Sequence, residues 1–214
     1  YDKKVKRTKQ RPIAANLVSV NQALIYSALL CLVAFFILIQ FNKLTIILGL
    51  SSMLLAFTYP FMKRITYWPQ LFLGITFNWG IIMAWTATLN DLSLNIIFLY
   101  MAAIFWTLGY DTIYGAQDLK DDEIIGLKST AIKFKKKIKK FVSINYFLTV
   151  SILFFIFNKK LGINYFTLIF MVFVFSFIYQ IIIFKKENAR SCLKAFKINN
   201  YSGLLLFLSI VALN

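Results

Sequence analysis

The sequence predicts a multi-pass, all-α integral membrane protein. Apolar residues make up 60% of the chain, and the mean hydropathy of +0.72 lies far above that of a soluble domain. Apolar runs of about 20 residues, the length that crosses the hydrocarbon core as a helix, recur along the chain. They are too long and too uniformly apolar for barrel strands, so we expect helices.

The apolar runs predict seven spans, at 22–41, 44–61, 69–88, 93–115, 141–157, 163–184 and 200–213. The second run contains the Tyr59-Pro60 break near its end, where proline lacks the N–H that continues a helix. The last run is the shortest. We therefore expect helix ends within a few residues of these bounds.

The distribution of charge predicts which membrane face each loop occupies. The net charge is +16, and 21 of the 24 lysines and arginines lie in every second segment. This positive-inside pattern puts the N-terminal segment and the 116–140 loop in the cytoplasm, and the C-terminus outside. The membrane topology thus accounts for the excess of positive charge, and we expect no nucleic acid as a partner. The basic segments are 1–21, 62–66, 116–140 and 185–198, and the three exceptions are Lys43, Lys159 and Lys160.

Histidine and cysteine usage excludes several kinds of active site. The chain has no histidine, which rules out His-dependent triads, histidine-ligated haem and the usual zinc hydrolase sites. Cys31 lies inside a predicted span and Cys192 in a predicted cytoplasmic loop. We therefore expect no disulfide between them.

Acidic residues cluster where the fourth predicted span meets the cytoplasm. Only eight are present, and five of them fall between 111 and 123. At about 100° per residue, Asp111, Tyr114, Asp118 and Asp122 lie within about 80° of one another on a helix. They form a polar stripe that begins inside the apolar span, where ionisable residues usually face a cavity or a partner. The alternative is that these acids only form a solvated helix end, where their negative charges offset the positive charges of the lysines in 133–140.

Two of these carboxylates suit a magnesium ion. Asp118 and Asp122 are one helical turn apart, and Mg²⁺ takes one or two carboxylates together with phosphate oxygens and water. The N-terminal run contains cations for a phosphate. Arg7 and Arg11 could clamp a diphosphate bidentately, with Lys6 beside them. The alternative, which we favour for Lys3, Lys4 and Lys9, is that such residues only set topology or contact anionic lipid.

Four segments resemble the UbiA family of membrane prenyltransferases. The run YDKKVKRTKQRPIA (1–14) resembles the end of the family's first Asp-rich motif, and GYDTIYGAQDLKDDEIIGLKST (109–130) resembles its second. YPFMKR (59–64) and KAFKINNYSGL (194–204) are similar to the branch that prenylates 4-hydroxybenzoate. The resemblance runs over essentially the whole chain, and the second motif is its most specific part.

The resemblance implies a single transmembrane domain over 1–214, folded around a central cavity. The family has nine helices and a first motif of the form NDxxDxxxD, of which only the last carboxylate, Asp2, is present. The chain also begins at Tyr1 without an initiator methionine. We therefore expect a chain that lacks the first two helices of the family fold. Lys120 replaces an acidic residue frequent in this branch, while Asp118 and Asp122 are intact.

The family resemblance also implies a reaction, in ubiquinone biosynthesis. A polyprenyl diphosphate would place its tail in an apolar cavity open to the lipid bilayer. Its diphosphate would bridge Mg²⁺ ions held by Asp118 and Asp122 on one side and Asp2 on the other, with Arg7 stabilising the leaving group. The polyprenyl group would then join the ring carbon ortho to the hydroxyl of 4-hydroxybenzoate.

Three further residues are predicted to contact the aromatic substrate. Arg64, with Lys63 beside it, is the candidate for binding the carboxylate of 4-hydroxybenzoate; alternatively, both only mark a cytoplasmic turn. Asp111 could orient or deprotonate the phenol, and Tyr114 could hydrogen-bond nearby.

Two other functions remain open from the sequence alone. The acceptor could be a naphthoate or a haem, which requires the same motifs. A multi-pass transporter is the alternative from another class, but it predicts polar residues deep in several spans and repeated halves, and the chain has no internal repeat. We expect a bacterial inner membrane location, with the mitochondrial inner membrane as the alternative.

Overall fold

The computed structural model describes residues 10–213, and every regular element in them is helical. The α-helices in chain order are α1 (Val20–Leu38), α2 (Lys43–Thr58), α3 (Met62–Ile65), α4 (Pro69–Phe77), α5 (Trp79–Leu89), α6 (Leu94–Gly115), α7 (Leu119–Ile125), α8 (Thr130–Lys133), α9 (Ile138–Phe157), α10 (Tyr165–Ile183) and α11 (Ala189–Val211). Short 3₁₀ turns occur at Tyr59–Phe61, Ala116–Asp118 and Asn158–Lys160. The all-α prediction is confirmed.

Within residues 10–213, six helical segments are long and apolar enough to cross a membrane. They are Val20–Leu38, Lys43–Ile65, Pro69–Leu89, Leu94–Ile125, Ile138–Lys160 and Tyr165–Ile183, which correspond to the first six predicted spans. The seventh predicted span, at 200–213, is the apolar end of α11, a helix that is not among these six segments. The prediction of a loop over 185–198 is wrong from Ala189 onward, because the Asn188 side chain caps α11 by accepting from the Ser191 N–H at 3.1 Å.

Helix α6 lies at the centre of the packing, against α4, α9 and α11, while α10 and α11 pair along their lengths. Helices α6 and α9 pack tightly at Gly109, where an added Cβ would lie 2.5 Å from Tyr146 Cε1. Beyond it, the buried rings of Phe173 and Phe177 pack at 4.7 Å between centroids. Close contact of this kind, rather than escape from water, holds helices together in lipid.

The span from Pro69 to Leu89 contains a break at Asn78, which separates α4 from α5. The Asn78 amide Nδ2 donates to the backbone carbonyl of Gly74 and to Thr107 Oγ1, both at 2.8 Å. A side chain inserted into the helical ladder in this way is a known cause of a bend. The sequence predicted one uninterrupted run here.

Loop contacts group the basic segments 62–66, 116–140 and 185–198 at one end of the bundle, which we call the basic face. The Lys128 N–H donates to the Lys63 carbonyl at 2.8 Å, and Lys186 Nζ donates to the Lys135 carbonyl at 3.1 Å. At the other end, Asn42 Nδ2 donates to the Thr86 carbonyl at 2.7 Å. These contacts agree with the predicted alternation of the loops.

Candidate functional site

The acidic motif lies at the end of α6 on the basic face, but not on one continuous helix. Helix α6 ends at Gly115, a 3₁₀ turn covers Ala116–Asp118, and α7 follows. The Gln117 side-chain amide donates to the Tyr114 carbonyl at 3.1 Å, the acceptor that the Asp118 N–H would use in an uninterrupted α-helix. The expected single stripe is therefore corrected: Asp111 and Tyr114 belong to α6, and Asp122 to α7.

The two predicted metal ligands lie on either side of the α7 N-terminus. Asp118 is the N-cap residue of α7 and Asp122 is 5% exposed, which is rare for a carboxylate that serves only solubility. Within residues 10–213, no group of three or more acidic, histidine or cysteine side chains could hold a metal ion. The donor set still fits Mg²⁺, because two carboxylate oxygens leave positions for the phosphate and water oxygens that this ion prefers.

A buried glutamine, which the sequence analysis did not identify, positions this motif. Gln70, at the start of α4, is 2% exposed, and its Oε1 accepts from the Thr130 N–H at 3.0 Å. Thr130 in turn shares a 2.7 Å hydrogen bond with Thr112 of α6. An added Cβ on Gly115 would lie 3.3 Å from Gln70 Nε2. Gln70 thus joins α4, α6 and α8, and its position inside an apolar run was the signal that could have identified it.

Asp111 lies close enough to Lys63 of α3 for the two charges to interact. The charge of Lys63 acts electrostatically on the Asp111 carboxylate, and Asp111 acts in the same way on Tyr59 and Tyr110. No residue between 10 and 213 donates a hydrogen bond to this carboxylate in the structure. Arg64, the predicted partner of a substrate carboxylate, is exposed, with its guanidinium carbon 6.0 Å from the centroid of the Phe61 ring. Lys63 is therefore the cation that the structure associates with Asp111.

The motifs at 109–130 and 194–204 meet through aromatic side chains. The Phe196 ring of α11 lies 4.6 Å from the Tyr114 ring and 5.8 Å from the Tyr110 ring, measured between centroids. One turn deeper, Trp106 Nε1 donates to Asn199 Oδ1 at 2.8 Å. These contacts fix α11 against the face of α6 that carries Tyr114.

Deeper in the membrane, an apolar cavity of about 290 Å³ lies between α5, α6, α9 and α11. Asn78, Trp106 and Gly203 are among its lining residues. The cavity reaches Ala103, which precedes Asp111 by about 12 Å along the axis of α6. An apolar chain therefore has space on the membrane side of the acidic motif.

The remaining predicted site residues lie near or beyond the start of the described chain. Asp2, Lys6 and Arg7 fall outside the residues that the structure describes. Arg11 is exposed, in the turns that precede α1. Cys192 is buried, and burial raises the pKa of its thiol to about 11, so it stays protonated and does not act as a nucleophile.

Comparison with known sequences gives a consistent result. The profile of the UbiA prenyltransferase family matches residues 1–209. The chain is 40% identical over 212 residues to "4-hydroxybenzoate octaprenyltransferase" of Marinobacter nauticus, covering 98% of this chain and 72% of that protein. It is 41% identical over 218 residues to "4-hydroxybenzoate polyprenyltransferase, mitochondrial" of Bos taurus, covering 99% of this chain but only 57% of that longer protein.

Solved structures share the fold. A UbiA homologue from Aeropyrum pernix K1 superposes with a TM-score of 0.83 at 23% identity, over 98% of this chain and 78% of that one. A digeranylgeranylglyceryl phosphate synthase gives a TM-score of 0.68 at 17% identity, over 97% of this chain and 75% of that one. At these identities the likeness concerns the fold alone.

Proposed function

This chain belongs to the UbiA prenyltransferase family, and we propose that it transfers a polyprenyl group from polyprenyl diphosphate to 4-hydroxybenzoate. The observation that carries the proposal is identity of about two residues in five, along nearly the whole chain, to proteins named for that reaction. The acidic motif at the membrane face gives the proposal its chemistry. The product would enter ubiquinone biosynthesis.

We assign the diphosphate to the basic face, beside the carboxylates of α7. Asp118 and Asp122 would hold Mg²⁺, together with Asp2 outside the described residues. The ion would neutralise the charge that develops on the diphosphate as it leaves. Lys6, Arg7 and Arg11 remain our candidates for binding the diphosphate directly, because the two guanidinium groups can pair bidentately with phosphate oxygens and the Lys6 ammonium adds a positive charge.

The aromatic acid would lie between Asp111 and the turn of α3. Its carboxylate would pair with Lys63 or Arg64, which are adjacent cations at the rim of the bundle. Its phenol would point toward Asp111 and Tyr114. A carboxylate without a hydrogen-bond donor among residues 10–213 can accept the phenolic proton and so make the ring more nucleophilic.

Bond making then follows from this placement. The carbon–oxygen bond between the polyprenyl group and its diphosphate breaks, and the diphosphate takes the electron pair. The ring carbon ortho to the hydroxyl forms the new bond to the polyprenyl carbon. The departing diphosphate or water then takes the proton from that ring carbon, which restores aromaticity. The apolar cavity beside Trp106 and Gly203 is our candidate for the first isoprene units of the tail.

The test is prenyl transfer by the full-length protein in bacterial membranes. The assay contains a radiolabelled polyprenyl diphosphate, 4-hydroxybenzoate and Mg²⁺, with EDTA as a control and 1,4-dihydroxy-2-naphthoate as a competing acceptor. We expect labelled hydroxybenzoate that EDTA abolishes, and nuclear magnetic resonance of the product to place the chain ortho to the hydroxyl.

Each other result has a definite meaning. Transfer to the naphthoate alone would replace the acceptor but keep the family reaction. Transfer that persists in EDTA would remove the magnesium proposal. The absence of transfer to either acceptor, from protein that is correctly inserted, would refute the proposed activity while leaving the membrane fold intact.

A further inference from the structure

A second cavity, separate from the acidic motif, is lined by lysines near the start of α9 and the end of α10. A cavity of about 250 Å³ lies between the turn that precedes α9 and the loop that follows α10. Its charged lining residues are Lys136, Lys137, Lys139, Lys185, Lys186 and Glu187, which we call the lysine pocket. None of them belongs to the acidic motif or to its cations.

The lysine pocket lies at the depth of lipid headgroups. The spans that meet there begin at Ile138 and end at Ile183, so the pocket is at the boundary of the hydrocarbon core. An aromatic cluster marks the same level: Lys133 Nζ is 4.4 Å from the Trp68 ring centroid. Tryptophan is enriched at this interface. A ligand in the pocket would therefore be beside the phosphates of the lipid leaflet on the basic face.

The charges of the pocket favour an anion. Lys186 Nζ lies 3.7 Å from the Glu187 carboxylate, the one acidic group among the lining residues. Within residues 10–213, the other four lysines of the pocket make no salt bridge. The 20-residue helix α9 also begins here, and no side chain of the described residues caps its first turn. Its dipole and unpaired N–H groups add to the positive potential.

Hydrogen bonds hold the walls of the pocket in place. Ser191 Oγ donates to the Ile183 carbonyl at 2.9 Å and accepts from the Lys185 N–H at 2.7 Å. Ser191 thus donates to a carbonyl at the C-terminus of α10. The partial negative charge of that carbonyl would otherwise repel an anion. Lys186 Nζ donates to the Lys135 carbonyl at 3.1 Å and so joins the two walls. These hydrogen bonds order the backbone of both walls, which lowers the entropic cost of binding.

We propose that the lysine pocket binds the phosphate headgroup of an anionic phospholipid. Juxtamembrane lysines attract anionic lipid, and a concave group of them between spans suits a phosphate that hydrogen-bonds several ammonium groups at once. A lipid rather than a free phosphate fits because the adjoining surface is apolar. Ile182, directly before the pocket, is 64% exposed and offers that surface to an acyl chain.

The experiment titrates phosphatidylglycerol into the full-length protein in a neutral detergent and counts bound lipids by native mass spectrometry. We expect one tightly held phosphatidylglycerol, and no comparable binding of phosphatidylcholine or of glycerol 3-phosphate. The double variant Lys136→Gln/Lys137→Gln should bind about 20-fold more weakly. Lys185→Gln, on the opposite wall, should weaken binding about fivefold.

The matched control is Lys159→Gln/Lys160→Gln, which removes two adjacent lysines from the other end of the bundle and should leave binding unchanged. Lys136→Arg/Lys137→Arg, which keeps the charge, should retain most of the affinity. Equal affinity in the Lys136→Gln/Lys137→Gln variant and the wild type would overturn the proposal. So would equal binding of phosphatidylcholine, or binding of glycerol 3-phosphate as tight as that of the lipid.

Discussion

Within residues 10–213, two groups of helices differ sharply in how much of this chain surrounds them. In the span that contains α6, 39% of the residues in its apolar stretch are buried inside the protein. In α1, none of the residues in the corresponding stretch are buried. Helices α9 and α10 resemble α6 in this respect, with 28% each, and α2 resembles α1, with 11%. We call α6, α9, α10 and α11 the packed region and α1 and α2 the exposed region.

The difference is not one of composition, since α1, α2, α6, α9 and α10 all belong to segments that are apolar enough to cross a membrane. Lipid is as apolar as leucine, so hydrophobicity alone brings no two helices together. The packed region is joined by close contact at a glycine and by buried polar pairs such as Tyr146 with Gln180, at 2.6 Å. Asp111, the predicted catalytic carboxylate, belongs to α6 of the packed region, whereas Lys63, whose charge acts on it, belongs to α3.

The largest effect is expected at Asp118 and Asp122, which follow the end of α6. Asp118→Asn or Asp122→Asn should lower prenyl transfer by at least about a hundredfold, because a metal that offsets developing charge loses a ligand. Thermal stability in detergent should change little. Asp91→Asn, in a loop at the other end of the bundle, is the control and should transfer normally. Wild-type transfer by both motif variants would remove the metal assignment.

The next largest effect is expected at Lys63, the proposed partner of the substrate carboxylate. Lys63→Gln should raise the KM for 4-hydroxybenzoate about 10- to 100-fold, because a charged hydrogen bond contributes about 1.5–3 kcal/mol. The KM for the polyprenyl diphosphate should stay unchanged. Arg64→Gln is the matched comparison. A larger rise in Arg64→Gln than in Lys63→Gln would restore Arg64 as the residue that binds the carboxylate.

Two glycine-to-alanine substitutions compare the tight contact between α6 and α9 with a position that has open space. Gly109→Ala should destabilise the fold by about 1–3 kcal/mol, since the new methyl group would overlap the Tyr146 ring. Gly80→Ala is the control, because nothing lies within 4 Å of an added Cβ there. Thermal unfolding in detergent measures both. Equal midpoints for the two variants would show that α6 and α9 can separate without cost.

The smallest effect compares two tyrosines. Tyr146→Phe removes the hydroxyl that donates to Gln180 and should destabilise the protein by about 0.6–1.7 kcal/mol, the range for hydrogen bonds between membrane helices. Tyr26→Phe, on the exposed face of α1, should unfold like the wild type. A loss of stability in Tyr26→Phe as large as that in Tyr146→Phe would contradict the division into two regions.

Local chemistry explains why much of this protein was predictable. Six spans, the basic face and the position of the acidic cluster follow from runs of apolar residues and from the placement of charge, and neither depends on which helices touch. Asp111 and Tyr114 were identified because polar residues inside an apolar span are costly. The start of α11 was missed because Lys194 and Lys197 resembled loop residues, although Asn188 is a normal helix cap.

The sequence by itself determined the membrane as the solvent, six of the spans that cross it, the grouping of the charges and the family. Only the tertiary structure decided that Gln70 hydrogen-bonds to Thr130, that the charge of Lys63 acts on Asp111 and that a 3₁₀ turn separates α7 from α6. The physical reason is that side chains facing lipid and side chains facing other helices are equally apolar. Hydrophobic periodicity therefore does not identify helix partners, which depend instead on close packing and on polar contacts between residues distant in sequence.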